Sequence, residues 1–387
     1  MGMGALGRRA RHLAIGAGCR LLRPFFRAPR GPQPTPRRIL ILRRCCLGDV
    51  LMTTPLLRAL EGAYPDAALT YAAGGWSAAA LGGEPGRHTI LRLPERAGWR
   101  DWVRIVGRLR RGRFDLALVP ERSPLPALAT ALAGIPRRVG LDSAGRGFAL
   151  TDRVPVPTLR HETDLSLDLA RALGIAASDR RPRYLPSAAA RTRVEALLAE
   201  RGLHAPLFLI HPGGGANPGV TMDTKRWVPE SFAAVGTALL ARHGGTLAIV
   251  GATSDAETVA ATVVACPPGA HDLGGALSLD ELGALCTLAT LYIGNDAGTT
   301  HLAEACGAPT VVIFGPTDPA QYGPTDGIGE AVWDPIACGP YVQRGDLTRL
   351  GADVRGVRCI DAITVAAVTA AVERVLQRVA HRAEGST

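Results

Sequence analysis

Residues Tyr292–Asp318, YIGNDAGTTHLAEACGAPTVVIFGPTD, decide how this chain folds. Leu291-Tyr292-Ile293 reads as a short buried strand, and Gly294 to Thr300 as a loop of small residues. Leu302 to Cys306 begins a helix that Gly307 and Pro309 end. Thr310 to Phe314 is a second buried strand. The first N–H groups of such a helix lack intrahelical partners and lie at the positive end of its dipole. That makes an anion site, most often a phosphate site. Asp296 sits at its mouth and His301 in the first helical turn. The plainer alternative is an ordinary capping loop of an α/β domain.

Around this stretch lie 387 residues, enough for two α/β domains with sizeable cores. The composition, 47% apolar and 20% charged, is that of a soluble globular protein. No apolar run reaches the ~18 residues of a membrane span. The eight cysteines lack even spacing and contain no C-x-x-C, which argues against a zinc site or disulfide framework and fits a reducing compartment. A net charge of +10 points to an anionic partner: lipid, phosphorylated glycan or nucleic acid. Of 44 basic residues only Lys225 is a lysine. In a chain that otherwise uses arginine, it marks a place where a compact ammonium is wanted and a planar fork is not.

In chain order, residues 1–36 form a basic extension. Arg20, Arg23, Arg27 and Arg30 fall on one side of a helical wheel and Leu21, Leu22, Phe25 and Phe26 on the other. This suits an anionic membrane surface, while Gly16, Gly18 and Pro24 favour a disordered tail instead. Residues 37–183 read as a first domain. Its strand Arg38–Arg43 leads through Arg44, Cys45 and Cys46 to Gly48-Asp49, just past the strand's carboxyl end, where open α/β sheets bind ligands. Asp49 is either a helix N-cap or a carboxylate aimed at a ligand. The absence of G-x-G-x-x-G counts against a dinucleotide dehydrogenase. Ala68–Ala72 and Leu116–Val119 are expected strands, and Asp101–Arg111 and His161–Leu173 expected helices. Arg180 to Pro186 reads as a linker. Residues 184–360 read as a second domain. In it the strand Leu207–His211 runs into Pro212-Gly213-Gly214-Gly215, a loop whose backbone can approach a ligand closely. A closing helix at about 364–380, within the segment 361–387, has one apolar face.

Four motifs in order, LGDVLMTTP, IHPGGGANPGVTMDTKRW, VGATSDAE and NDAGTTHLAEACGAPTVVIFGPTDP, resemble glycosyltransferase family 9, the lipopolysaccharide heptosyltransferases. The resemblance runs from about Arg37 to Gln377, and the last motif is the specific one. It implies a GT-B architecture: α/β, two Rossmann-like parallel-sheet domains facing an interdomain cleft, donor on the second and acceptor on the first. It also implies a closing helix that packs back on the first domain. By resemblance Asp49 is the catalytic base and Lys225 meets the donor phosphates, with His211, Gly213 and Gly214 beside it. Asp255 lies near the ribose hydroxyls, with Glu257 as competitor. Asp296, Gly298, Thr299, Thr300 and His301 form the diphosphate loop. Arg43, Arg44 and Arg138 are candidates for an anionic acceptor, with solvated surface as the plainer reading of each alone. Two features depart from the family: the extension, and a single Cys338, with Cys359 later, where some members have paired cysteines.

The expected reaction is inverting transfer of a sugar, heptose from ADP-heptose, to a lipopolysaccharide-core or related glycolipid acceptor. No D-x-D triplet occurs, so neither metal nor cofactor is required. The expected setting is cytoplasmic and peripheral on the inner membrane face. The competing readings are another GT-B enzyme, either a different sugar transferase or an epimerase, and a non-enzymatic nucleic-acid binder. Few aromatics and no reading module argue against the last.

Overall fold

A computed structural model describes residues 15–26, 34–83, 86–156, 160–217, 220–337 and 358–384. Two compact units divide the chain, residues 1–81 with 85–180, and 82–84 with 181–387.

The first unit is built on the parallel strands β1 (Arg38–Leu42), β2 (Ala68–Gly74), β3 (Thr89–Leu93), β4 (Leu116–Val119), β5 (Arg137–Asp142) and β6 (Asp152–Pro155). Their order is β3-β2-β1-β4-β5-β6. Helices α1 (Leu47–Leu51), α2 (Thr54–Ala63), α3 (Trp99–Gly112), α4 (Pro124–Leu132) and α5 (Glu162–Arg171) connect them. The central strands are apolar on both faces, as a sheet covered on both sides requires. The order reverses between β1 and β4, so the loops after those two strands open a crevice at the sheet's carboxyl edge.

The second unit repeats the plan. After α6 (Ala188–Arg201) come β7 (Leu207–His211), the antiparallel pair β8 (Ala216–Asn217) and β9 (Val220–Thr221), and α7 (Pro229–His243). Then follow β10 (Thr246–Gly251), α8 (Ala256–Ala265), β11 (His271–Gly274), α9 (Leu279–Leu288), β12 (Leu291–Asn295) and α10 (Gly298–Ala305). The unit ends with β13 (Thr310–Ile313), α11 (Pro319–Tyr322), β14 (Glu330–Val332) and α12 (Val365–Glu384). The sheet order β11-β10-β7-β12-β13-β14 places its reversal between β7 and β12. Those are the strands that lead into the glycine loop and the anion stretch.

The closing helix α12 spends its apolar stripe within the second unit: Val368, Ala371, Val372 and Val375 join Phe208, Trp227 and Val332 in one core. The extension, where described, is not a free tail. Cys19 and Phe26 pack with Val119, Ala127 and Phe148, and Arg23 pairs with Asp142. Arg27, Arg30 and Cys338 lie outside the described residues.

Candidate functional site

In the first unit the switch-point loops gather charge. Asp49 lies in the first turn of α1, only 6% exposed. The N-cap there is Cys46, so the capping alternative for Asp49 falls away. Arg43, fully buried, brings Nη2 to 3.1 Å from Asp49 Oδ1 and to 3.3 Å from Glu162 Oε2. Its Nη1 donates to the Pro120 carbonyl in the loop after β4. Arg122 closes the network on Glu162 Oε1 at 2.6 Å. Burial pushes the neighbouring Glu121 carboxyl up, against the pull of Arg43. Arg43 therefore holds Asp49 in place and is not available to an acceptor. Arg138 is likewise withdrawn from the acceptor reading. It is buried, and its guanidinium caps the carbonyls of Ala149, Ile135 and Pro136. Arg44 is tied to the Pro94 and Glu95 carbonyls and lies 5.3 Å over the Trp102 ring.

In the second unit the loops after β7 and β12 meet. Lys225 Nζ lies 2.6 Å from Asp296 Oδ2, which also accepts from Thr317 Oγ1 at 2.6 Å. His301 Nε2 faces Asp296 Oδ1 at 3.6 Å. Burial alone would raise the Asp296 carboxyl; the Lys225 ammonium and His301 overcome it and hold it far below the usual carboxylate range. Asp296 is thus the anchor that aims Lys225, and a carboxylate so placed is no direct ligand for a phosphate. The Lys225 ammonium also lies 5.9 Å over the Tyr322 ring.

Helix α10 starts one turn earlier than the sequence suggests, at Gly298, because β12 runs on to Asn295. The consequence is chemical. The amides of Thr300 and His301 already donate to the Ala297 carbonyl, and Thr300 Oγ1 donates to the Asn295 carbonyl at 2.7 Å. The N-cap, Ala297, has no side-chain acceptor, so the Gly298 and Thr299 amides are the ones left for an anion. Thr299 Oγ1 shares a hydrogen bond with His211 Nδ1 at 3.3 Å.

Asp255 is buried and bonded to framework groups. It faces His211 Nε2 at 3.5 Å and Arg226 Nη2 at 3.3 Å, and accepts from the Gly214 and Ala252 amides. It pins the glycine loop from beneath. A Cβ on Gly213 would fall 2.3 Å from Asp255 Cγ, and Gly214 adopts φ +98° against the Ala297 methyl. Glu257, exposed in the first turn of α8, is the acid left open at that strand end. Three residues that the sequence reading missed complete the frame. Buried Asn295 donates to the Pro212 and Gly213 carbonyls and accepts from the Trp227 amide. Arg226 Nε donates to the Gly214 carbonyl at 2.8 Å, and Thr317 orients Asp296. For Asn295 a signal existed: a polar amide closing a buried strand must find partners.

The lowered Asp296 pKa has a pH consequence. In an unfolded chain an Asp titrates near ~4, so below that pH the unfolded state binds the proton first. The stability due to Asp296 is full above about pH 4 and is lost as pH falls. Asp255 and Glu330, also depressed, act in the same sense. In urea denaturation between about pH 6 and 3, Asp296→Asn should lose stability less steeply than wild type; an unchanged acid limb would contradict this.

Two parallel six-stranded sheets of this order, each with a switch point at its carboxyl edge, fit an α/β protein of the GT-B class. The fold is similar to a glycosyl transferase family 9 structure from Veillonella parvula DSM 2008, with TM-score 0.75 and 21% identity, covering 88% of this chain and 98% of that one. It is also similar to the ADP-heptose lipopolysaccharide heptosyltransferase II structure from Escherichia coli, with TM-score 0.69 and 21% identity, covering 88% and 99%. The family model for glycosyltransferase family 9 (heptosyltransferase) matches residues 102–350, more than half of the chain. The chain belongs to that family and is a glycosyltransferase. Among curated relatives, lipopolysaccharide heptosyltransferase 2 of Escherichia coli K12 is 27% identical over 298 residues, 73% of this chain and 84% of that protein.

Proposed function

We propose that the protein transfers heptose from ADP-heptose to the core saccharide of a lipopolysaccharide, with inversion and without a metal. The observation that carries this reading is the Lys225–Asp296 pair beside an uncapped helix start at the switch point of the second sheet. The names of the family relatives supply the sugar and the acceptor class.

The reaction makes three demands. The departing diphosphate gains negative charge, the sugar carbon gains oxocarbenium character, and the acceptor hydroxyl must lose a proton. The Lys225 ammonium and the Gly298 and Thr299 amides meet the first; well-placed donors of this kind supply roughly 3–4 kcal/mol each. Asp49 meets the third as general base. At the candidate site, the buried carboxylates Asp255 and Asp296 are committed to His211, Arg226 and Lys225; elsewhere in the unit Glu304 is bonded to Thr325 and Asp318 to the Ala320 amide. None is disposed to attack the sugar, which favours direct displacement with inversion. Glu257 takes the ribose hydroxyls. His211, Gly213 and Gly214 shape the wall that the nucleotide meets, and His301 steadies Asp296. The enzyme works in the cytoplasm, at the inner face of the membrane that carries its acceptor.

Thermal unfolding with a panel of nucleotides tests the donor site. Saturation at ~100 times Kd stabilises a fold by about 2.7 kcal/mol. ADP and ADP-heptose should raise the Tm; protection by uridine nucleotides in their place would overturn the donor assignment.

A further inference from the structure

Helices α3 and α4 leave an apolar groove open to solvent. Trp102, Val103, Val106, Leu125, Leu128 and Leu132 line a volume of about 200 Å³. Trp99 is 73% and Val103 64% exposed, and Leu125 and Leu132 are exposed as well. Residues 99, 103 and 106 form one stripe of α3, because side chains four and seven apart share a helix face. The adjoining stripe is Arg100, Arg104, Arg108 and Arg111, all exposed. Arg100 lies 5.1 Å over the Trp99 ring. The one acid of α3, Asp101, is used on Arg104 and the Gly98 amide. Among the described residues no carboxylate pairs with Arg100, Arg108 or Arg111.

The far side of α4 carries a second apolar element. Cys19 and Phe26 of the extension pack with Ala127 and Phe148, and Leu128 touches both this cluster and the groove. Leu21 stays exposed there, and Phe25 is 79% exposed. Exposed apolar side chains gathered around a groove are the kind of surface on which a partner docks. An apolar row beside an arginine row, with tryptophan between them, is the pattern of a helix lying in a lipid interface. Its apolar side chains enter below the headgroups while its guanidinium groups stay at the phosphates.

We propose that the α3–α4 face, with the docked segment 15–26 beside it, is the surface by which this protein lies on an anionic lipid bilayer. The charge selects the occupant: a row of four exposed arginines, of which Arg104 alone has an acid partner among the described residues, matches lipid phosphates, and an apolar groove takes acyl chain. The inference deepens the peripheral-membrane part of the reading above and rests on it, but it needs neither Asp49 nor Lys225. Deleting residues 1–36 is a poor test, since it strips Cys19 and Phe26 from a core.

The test is sedimentation of the full chain with phosphatidylcholine vesicles with and without phosphatidylglycerol. Two variants are compared: Trp99→Ser/Val103→Ser/Leu132→Ser, and Arg100→Gln/Arg104→Gln/Arg108→Gln/Arg111→Gln. Wild type should bind only the anionic vesicles, less tightly as salt rises. Each basic residue near such a surface is worth about fivefold, so the arginine variant should bind at least ~10-fold more weakly. The apolar variant should lose binding and the blue shift of tryptophan emission on vesicles. Both should keep the wild-type Tm and transfer to a delipidated, water-soluble acceptor, so this result is separable from failure of the transferase reading. Undiminished vesicle binding by both variants overturns the proposal. So does a wild-type dimer that the Trp99 variant dissociates, which would show that a second copy covers the groove.

Discussion

Replacing Asp49 with Asn should lower transfer at least ~100-fold while leaving the affinity for ADP unchanged. The substitution is isosteric and keeps the backbone of α1, whose Asp49 carbonyl accepts from Thr53 Oγ1. Arg43 retains Glu162 as a partner, so the network survives. What disappears is the one group assigned to take the acceptor proton. Asp49 belongs to the first unit and the residues proposed for the diphosphate to the second, so binding and turnover should separate. Calorimetric titration with ADP and a single-turnover transfer assay read the two quantities. Full turnover in the variant would remove Asp49 as base.

The second large effect concerns Lys225. Lys225→Ala should weaken ADP binding ~10- to 100-fold, since a charge-assisted hydrogen bond contributes about 1.5–3 kcal/mol. It should also destabilise the fold, by roughly 3–5 kcal/mol, because Asp296 stays buried without its counter-charge. The two effects part in Lys225→Ala/Asp296→Asn. That protein should regain stability and not donor affinity. Wild-type ADP affinity in the folded double variant would contradict the role given to Lys225.

These two residues also show what a sequence discloses. The strands flanking each switch point were legible because they are apolar runs, RILIL and LALV in the first unit and LFLIH and LYIGN in the second. The edge strands β3, β6 and β14 were not. They are short and half exposed, so they lack the apolar run by which a buried strand is read. Helix α4 was hidden by Pro124 and Pro126, which read as breakers although the first helical turn accepts proline. Within the site, Lys225 stood out by composition and Asp296 by its place after a strand. That the two pair could not be read, since 71 residues separate them. The same holds for Arg226 with Asp255, 29 residues apart. Arg43 and Arg138 are buried and bonded to framework groups, which residue type alone does not disclose, because exposure decides whether a guanidinium is available to a ligand.

The central claim is that a diphosphate gripped by the second unit leaves a sugar only when an acceptor hydroxyl attacks it. The direct measurement is ADP release from ADP-heptose by the purified full chain, with and without a heptose-deficient lipopolysaccharide core. The account predicts release only with the acceptor, one ADP per heptose transferred, and a product of inverted anomeric configuration. Consumption of the donor at the same rate without acceptor, or a product with retained configuration, would contradict it.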